Sequence, residues 1–245
     1  MKLYRDYEFS SMSFADDPEL VPALDEATKR LPIDVVIETG TYLGKGSTRI
    51  LADYFMARRS PKRLLTMEVN WEFWQQAKQN LKHYGFVDLK WGASVNRNAA
   101  LDFIRNDPMI KDHAAYDNIF IDDIVDPVTF YSNEVMGSMN GQANPVGGKS
   151  AFDLFWEGED LLRRMLYLHR LHAPLVVLDS AGGVGYLEFQ NTLQVMGDQK
   201  YALLLDDTHH IKHYRSLQTI KNDKSFEIIQ VSEKNGWALA LHTGH

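Results

Sequence analysis

The stretch Asp34-Val35-Val36-Ile37-Glu38-Thr39-Gly40-Thr41-Tyr42-Leu43-Gly44-Lys45-Gly46-Ser47 decides how the rest of the chain is read. The β-branched apolar run Val35-Val36-Ile37 ends in the carboxylate Glu38 and then breaks into Gly40, Gly44 and Gly46. Behind it, Ser47 to Phe55 reads as a helix. A buried strand, a glycine turn and a helix start form the layout of a nucleotide-binding first unit. Gly40 lets the backbone turn sharply, and Gly44 and Gly46 let a ligand approach the main chain closely. The N–H groups opening the helix would then face a ligand carboxylate or phosphate. The spacing departs from G-x-G-x-x-G, and a plain tight turn is the alternative reading.

Working outward, strands and helices alternate. Asp17-Pro18-Glu19 offers an N-cap, a proline at the first helical position and an acidic first turn, so a helix is expected over 18–30. Strands are expected at 63–69, 88–92, 118–123, 175–179 and 201–206, with helices over about 71–84, 97–106, 152–171, 188–196 and 210–221. Asn70 caps the helix over 71–84 and Gly85 stops it. Residues 226–231 and 237–241 form a hairpin across Glu233-Lys234-Asn235-Gly236. Residues 124–150, rich in Gly, Asn and Pro, break the rhythm as a long loop, either a lid over a substrate or a disordered segment. The expected fold class is α/β, a doubly wound and mostly parallel sheet with a C-terminal antiparallel hairpin. One domain is expected over 1–245, with an N-terminal helical extension over 1–33 and an insertion over 124–150. In such sheets ligands bind outside the carboxyl ends of the strands, and Glu38, Glu68, Ser94, Asp122 and Asp179 all fall at those ends.

Composition narrows the classes. The 245 residues carry a formal charge of −7, with 44% hydrophobic and 24% charged residues. No basic run or stripe suggests a nucleic-acid partner, and none is expected. Cysteine is absent, which removes disulfides, thiolate metal sites and cysteine nucleophiles. No apolar stretch approaches the 18 or so residues of a membrane span, so a cytoplasmic protein with no membrane partner is expected. A homo-oligomer is compatible with all of this.

Glu68 closes the second strand, where an acidic side chain in nucleotide-binding sheets accepts hydrogen bonds from ribose hydroxyls. Glu38 and Glu68 together crowd the site with negative charge. That suits a nucleoside cofactor with a positive centre better than a pyrophosphate.

At this point Glu38-Thr39-Gly40-Thr41-Tyr42-Leu43-Gly44, Thr66-Met67-Glu68-Val69-Asn70, Gly92-Ala93-Ser94, Asp122 and Leu178-Asp179-Ser180 resemble the successive motifs of the class I S-adenosylmethionine-dependent methyltransferases. The likeness is closest to the catechol-O-methyltransferase-like and macrocin-O-methyltransferase-like groups. It spans 34–180 and implies the Rossmann-like methyltransferase fold and S-adenosyl-L-methionine as cofactor. It also implies O-methylation of a small-molecule acceptor, such as a sugar or polyketide-type metabolite. By that likeness Glu38, Gly40, Tyr42, Gly44 and Ser47 surround the amino-acid end of the cofactor. Glu68 grips the ribose with Val69 beside it, Ala93 and Ser94 border the adenine, and Asp122 lies near the transfer centre. The catechol-type enzymes also imply Mg²⁺, here on Asp122, Asp179 and Ser180. Ser180 stands where the family has an amide, and no lysine follows Asp122 where the family keeps its base.

The dense polar stretch Asp206-Asp207-Thr208-His209-His210-Ile211-Lys212-His213 admits three readings. Asp207-Thr208 caps the next helix; or His209 serves as a general base with Asp122; or His209 and His213, one helical turn apart, take a metal. Two other function classes stay open: a dinucleotide-dependent oxidoreductase, and a non-catalytic nucleotide-binding module of the same fold.

Overall fold

The computed structural model describes residues 14, 17–59, 62–116, 119–140, 158–180 and 182–244, with backbone alone for 137–140. Seven strands form one sheet: β1 (Val35–Thr39), β2 (Arg63–Glu68), β3 (Val87–Trp91), β4 (Leu175–Leu178), β5 (Tyr201–Leu205), β6 (Phe226–Ser232) and β7 (Trp237–His242). Their spatial order is β3-β2-β1-β4-β5-β7-β6. The first five are parallel, and β7 runs antiparallel between β5 and β6. This is the doubly wound sheet with a C-terminal hairpin that the sequence pattern predicts. The order reverses between β1 and β4, which opens a crevice at their carboxyl ends.

The core follows from the period of two in each strand. Val36 faces one side of the sheet with Leu64, Leu175, Val177, Ala202 and Leu204. Val35 and Ile37 face the other with Leu65, Met67, Val176, Leu178, Leu203 and Leu205. Helices α1 (Leu20–Arg30) and α2 (Ser47–Arg58) cover the first side, through Leu20, Leu24 and Ala27, and through Leu51 and Phe55. On the second side lie α7 (Leu161–His169), α8 (Gly185–Met196) and α9 (Tyr214–Asn222), through Leu162, Phe189 and Leu217 among others. Between them in the chain come α3 (Trp71–Asn80), α4 (Arg97–Asn106), α5 (Pro108–Lys111) and α6 (Pro127–Asn140). Asn70 caps α3 as expected, accepting from the Glu72 and Phe73 N–H groups. Asp17 does not cap α1 itself. It is buried, and its Oδ2 accepts from Ser232 Oγ and Trp237 Nε1, each at 2.7 Å, tying the start of α1 to the hairpin.

Four expected elements differ. Of the strand expected over 118–123, the described residues 119–123 do not form a strand of the sheet: Phe120 makes a single parallel bridge to His210. The place beside β1 belongs to Leu175–Leu178, buried along its whole length, because a strand covered on both faces must be apolar at every position. Ile119 and Phe120 are only half buried, while Ile121 instead joins a small separate core with Ile104, Met109, Ile110, Tyr131 and Ile211. Within the expected loop 124–150, α6 occupies 127–140, and 141–150 lie outside the described residues. The helix expected over 210–221 begins only at Tyr214, and the helix expected over 152–171 is described from Leu161. Residues 1–13 of the expected N-terminal extension lie outside the described residues.

Candidate functional site

At the carboxyl end of β1 the chain turns through Gly40 with φ +79°, into space only a glycine fits: a Cβ there would lie 2.0 Å from the Asp179 carbonyl oxygen. The two central strands therefore approach each other without a side chain between them. Tyr42 also takes a left-handed backbone, φ 50°, and its N–H donates to Glu68 Oε2 at 2.8 Å. The other oxygen, Oε1, accepts from the Asn70 N–H at 2.7 Å. Glu68 is thus folded over the glycine turn, 7% exposed, and burial pushes its carboxyl above the ordinary value. A carboxylate has lone pairs to spare beyond these two bonds. Val69 lies next in the chain, its carbonyl accepting from Trp91 Nε1 at 3.1 Å.

Ser47 opens α2 and is buried, and no side chain caps this helix start. Gly44 packs on Leu81 and Ala77. Glu38 is fully buried: its Oε2 accepts from Thr48 Oγ1 and Thr66 Oγ1, each at 2.7 Å, while Oε1 has no partner. Burial lifts its carboxyl to about 7, against the pull of those two hydroxyls. Glu38 is therefore an internal tie between β1, β2 and α2. On the far side, Ala93 and Ser94 form main-chain bonds to Gly158, Leu161 and Leu162. The buried carboxylate of Glu188 accepts from Thr39 Oγ1 at 2.9 Å.

The ends of β4 and β5 are built differently. Leu178 and Leu205 are register partners, so Asp179 and Asp206 emerge side by side. With Asp207 they bring carboxylate oxygens within 4.8 Å of one another. Lys212, 3% exposed, lies among them, with Nζ 2.7 Å from Asp207 Oδ2 and 3.4 Å from Asp179 Oδ1. Burial raises Asp179, and it raises Asp206 much further with help from the Asp179 charge. Burial opposes charge at Asp207 and at Lys212 too, but their mutual attraction outweighs it, holding Asp207 low and Lys212 high. His213 is fully buried, and burial beside Lys212 keeps its imidazole well below the ordinary value.

Asp122 stands apart from this cluster among the described residues. Its Oδ2 accepts from the Tyr131 hydroxyl at 2.9 Å and bonds His210 Nε2 at 3.1 Å. His210 Nδ1 accepts the Lys212 backbone N–H, so Nε2 carries the proton toward Asp122. Burial opposes charge at Asp122, yet these bonds hold it below the carboxylate norm. Its side chain keeps 37% exposure. Nearby Glu134 is pushed up to about 7 by burial and by the Asp122 charge.

The structure thus brings Gly40, Tyr42, Ser47 and Glu68 together around the crevice. It leaves Asp122, Asp179 and Ser180 without a shared centre: Asp122 is bound to Tyr131 and His210, Asp179 to Lys212, and Ser180 Oγ is buried without a geometric hydrogen-bond partner. His209 Nε2 bonds to the Glu233 carbonyl at 2.6 Å, in the β6–β7 hairpin, and the residues around it are not helical, so His209 and His213 do not share a helical face. The residues the sequence reading missed are His210, Asp206, Asp207 and Lys212. The available signal was the carboxylate pair closing the apolar run Tyr201–Leu205, with a lysine five residues after it. A cavity of about 1050 Å³ opens beside Lys45, Trp71 and Trp74, and none of these carboxylates lines it.

No protein-family model matches the chain, and no curated protein matches it. Solved structures do. Cofactor-bound Rv0187 from MTB is 15% identical, with a TM-score of 0.48 over 97% of this chain and 85% of that one. An O-methyltransferase from Bacillus cereus in complex with SAH is 11% identical, with a TM-score of 0.46 over 94% and 84%. An rRNA methylase from Streptococcus thermophilus is also 11% identical, with a TM-score of 0.39 over 90% and 92%. Likenesses this distant leave the chemistry to be read from the chain's own residues. Among the described residues no helix is long and apolar enough to cross a membrane.

Proposed function

We propose that the chain is an S-adenosylmethionine-dependent methyltransferase acting on a hydroxyl of a small molecule. The observation that carries this reading is Glu68, a buried carboxylate held by two backbone N–H groups over the glycine turn, at the crevice where strand order reverses. A carboxylate fixed in that place accepts the paired hydroxyls of a ribose. The carboxylate of Glu68 opposes a pyrophosphate and favours a cationic ligand.

The residues present fit this cofactor. Glu68 retains acceptor capacity for the ribose, with Val69 beside it. The uncapped N–H groups at the start of α2 face a carboxylate, near Gly40, Tyr42, Gly44 and Ser47. Ala93 and Ser94 border the adenine. Bound there, S-adenosyl-L-methionine supplies a methyl group for in-line displacement by an acceptor oxygen. Asp122 receives the hydrogen bond of the acceptor hydroxyl, and Tyr131 and His210 hold its carboxylate in place. α6 carries Tyr131, whose hydroxyl donates to Asp122 Oδ2.

Mg²⁺ does not fit the donor set as it stands. Among the described residues the one group of three acidic side chains close enough to share an ion is Asp179, Asp206 and Asp207, and an ammonium already lies in it. Mg²⁺ needs near-octahedral oxygens at about 2.0–2.1 Å, so no step is assigned to a metal.

Calorimetry with S-adenosylhomocysteine and with NAD tests the reading. Binding of S-adenosylhomocysteine, weakened in Glu68→Ala, supports it, together with methyl transfer to a panel of hydroxylated acceptors. Binding of NAD with none of S-adenosylhomocysteine would reject it in favour of a dinucleotide enzyme. Binding without transfer to any acceptor would favour a non-catalytic module.

A further inference from the structure

We propose that Lys212 is the resident cation of the Asp179–Asp206–Asp207 cluster, its ammonium holding the position a divalent ion would otherwise take. Three observations support this independently of the reaction the chain performs.

The first is stoichiometry. An ammonium offers three N–H donors, and it pairs with two of three carboxylates whose oxygens lie within 4.8 Å of one another, Asp206 being the third. Nζ is 2.7 Å from Asp207 and 3.4 Å from Asp179. Among the described residues no other lysine or arginine forms an ion pair with any of the three, and the neighbouring His213 is buried among groups that keep it neutral.

The second is demand. Asp206 is 5% exposed, and its Oδ1 is buried with no geometric hydrogen-bond partner. A buried carboxyl beside two other acids is driven toward its neutral form, and a neighbouring cation relieves part of that cost. Take the lysine away and the same oxygens form an empty hard-donor set of the kind divalent ions fill.

The third is the route the side chain takes. Gly185 opens α8 directly against the lysine stem: a Cβ there would lie 2.2 Å from Lys212 Cγ and 3.0 Å from its carbonyl oxygen. The Lys212 backbone N–H is fixed on His210 Nδ1 at 3.1 Å. The chain therefore makes room for this side chain and anchors its backbone, so the ammonium is delivered by the fold.

Mn²⁺ binding followed by electron paramagnetic resonance tests the assignment, alongside thermal unfolding with and without MgCl₂. The wild type should leave the free-ion signal unchanged and gain no thermal stability from Mg²⁺. Lys212→Ala should bind Mn²⁺ at least about tenfold more tightly, equivalent to roughly 1.4 kcal/mol, and should be stabilised by Mg²⁺. Adding Asp206→Asn to that variant should remove both effects. Mn²⁺ uptake by the wild type that Asp206→Asn abolishes would overturn the proposal, as would a folded Lys212→Ala that binds no better than wild type. Lys212→Met, which keeps the volume, undergoes the same test if the alanine variant does not fold. If neither folds even with Mg²⁺, the wild-type arm decides: uptake through Asp206 overturns the assignment and its absence supports it. Because these readouts are ion binding and folding, they stand or fall separately from methyl transfer.

Discussion

The two sides of the crevice deal with their carboxylates in opposite ways. At the end of β2, Glu68 is satisfied by main-chain N–H groups from the glycine turn and from Asn70. At the ends of β4 and β5, Asp179 and Asp207 are satisfied by one long side chain, Lys212, with Asp206 beside them. Backbone donors hold a carboxylate rigidly, add no net charge and leave further lone pairs for a ligand. An ammonium balances charge strongly but occupies the space itself. The β1–β2 side is therefore arranged to receive something, and the β4–β5 side is already filled.

The sharpest way to break this contrast is at the contact between the two sides. Gly40→Ala forces a left-handed backbone and places a Cβ 2.0 Å from the Asp179 carbonyl. The expected cost is about 4 kcal/mol or more, since backbone has to move against backbone. Urea denaturation measures it, and a loss below about 1 kcal/mol, the cost of the φ alone, would mean that the strand ends are looser than described.

Lys212→Ala probes the filled side. Lys212 is buried but Asp207 keeps half its side chain exposed, so the cost falls below the about 3–5 kcal/mol of breaking a fully buried pair. The loss should appear in denaturant unfolding at neutral pH without divalent ions. A near-neutral result would mean that water reaches Asp179 and Asp206.

Glu38→Gln sharpens the comparison through pH. The carboxyl of Glu38 is lifted to about 7, above its unfolded value of 4.5, so the folded state binds the proton more tightly. Its contribution is fully present below about 4.5 and is lost as pH rises through 7, amounting to about 3 kcal/mol across that window. The variant should show a shallower fall in melting temperature between those limits than the wild type. An unchanged slope would place the proton uptake on another buried acid, such as Glu188.

The smallest expected effect is on binding. Glu68→Gln keeps the shape but removes the charge, weakening S-adenosylhomocysteine by roughly 10- to 100-fold, the value of a hydrogen bond to a charged group. Calorimetry reads it directly. An unchanged affinity would show that the ribose lies elsewhere.

Much of this architecture was legible in residue order. The strand over 35–39, the turn through Gly40, the cap at Asn70 and the helix over 97–106 all lie where local pattern puts them. The candidate site was legible on the β1–β2 side for the same reason: Glu68 and the glycine turn are each defined by the strand that precedes them. The expected strand before Asp122 does not form: the strand-like composition of Ile119-Phe120-Ile121 does not say which of two apolar runs wins the central place. His209 was preferred over its neighbour His210 because a one-residue difference in a turn has no signature in a sequence.

Taken alone, the order of residues determined the class of sheet, the glycine turn and the acidic character of the crevice, because periodicity and turn chemistry act over a few neighbours. Only the tertiary structure decided that Leu175–Leu178 lies against β1, that Asp179 and Asp206 therefore stand side by side, and that Lys212 closes on them. Those outcomes depend on which distant segments bury the most apolar surface together, and on where that leaves their charges to find partners.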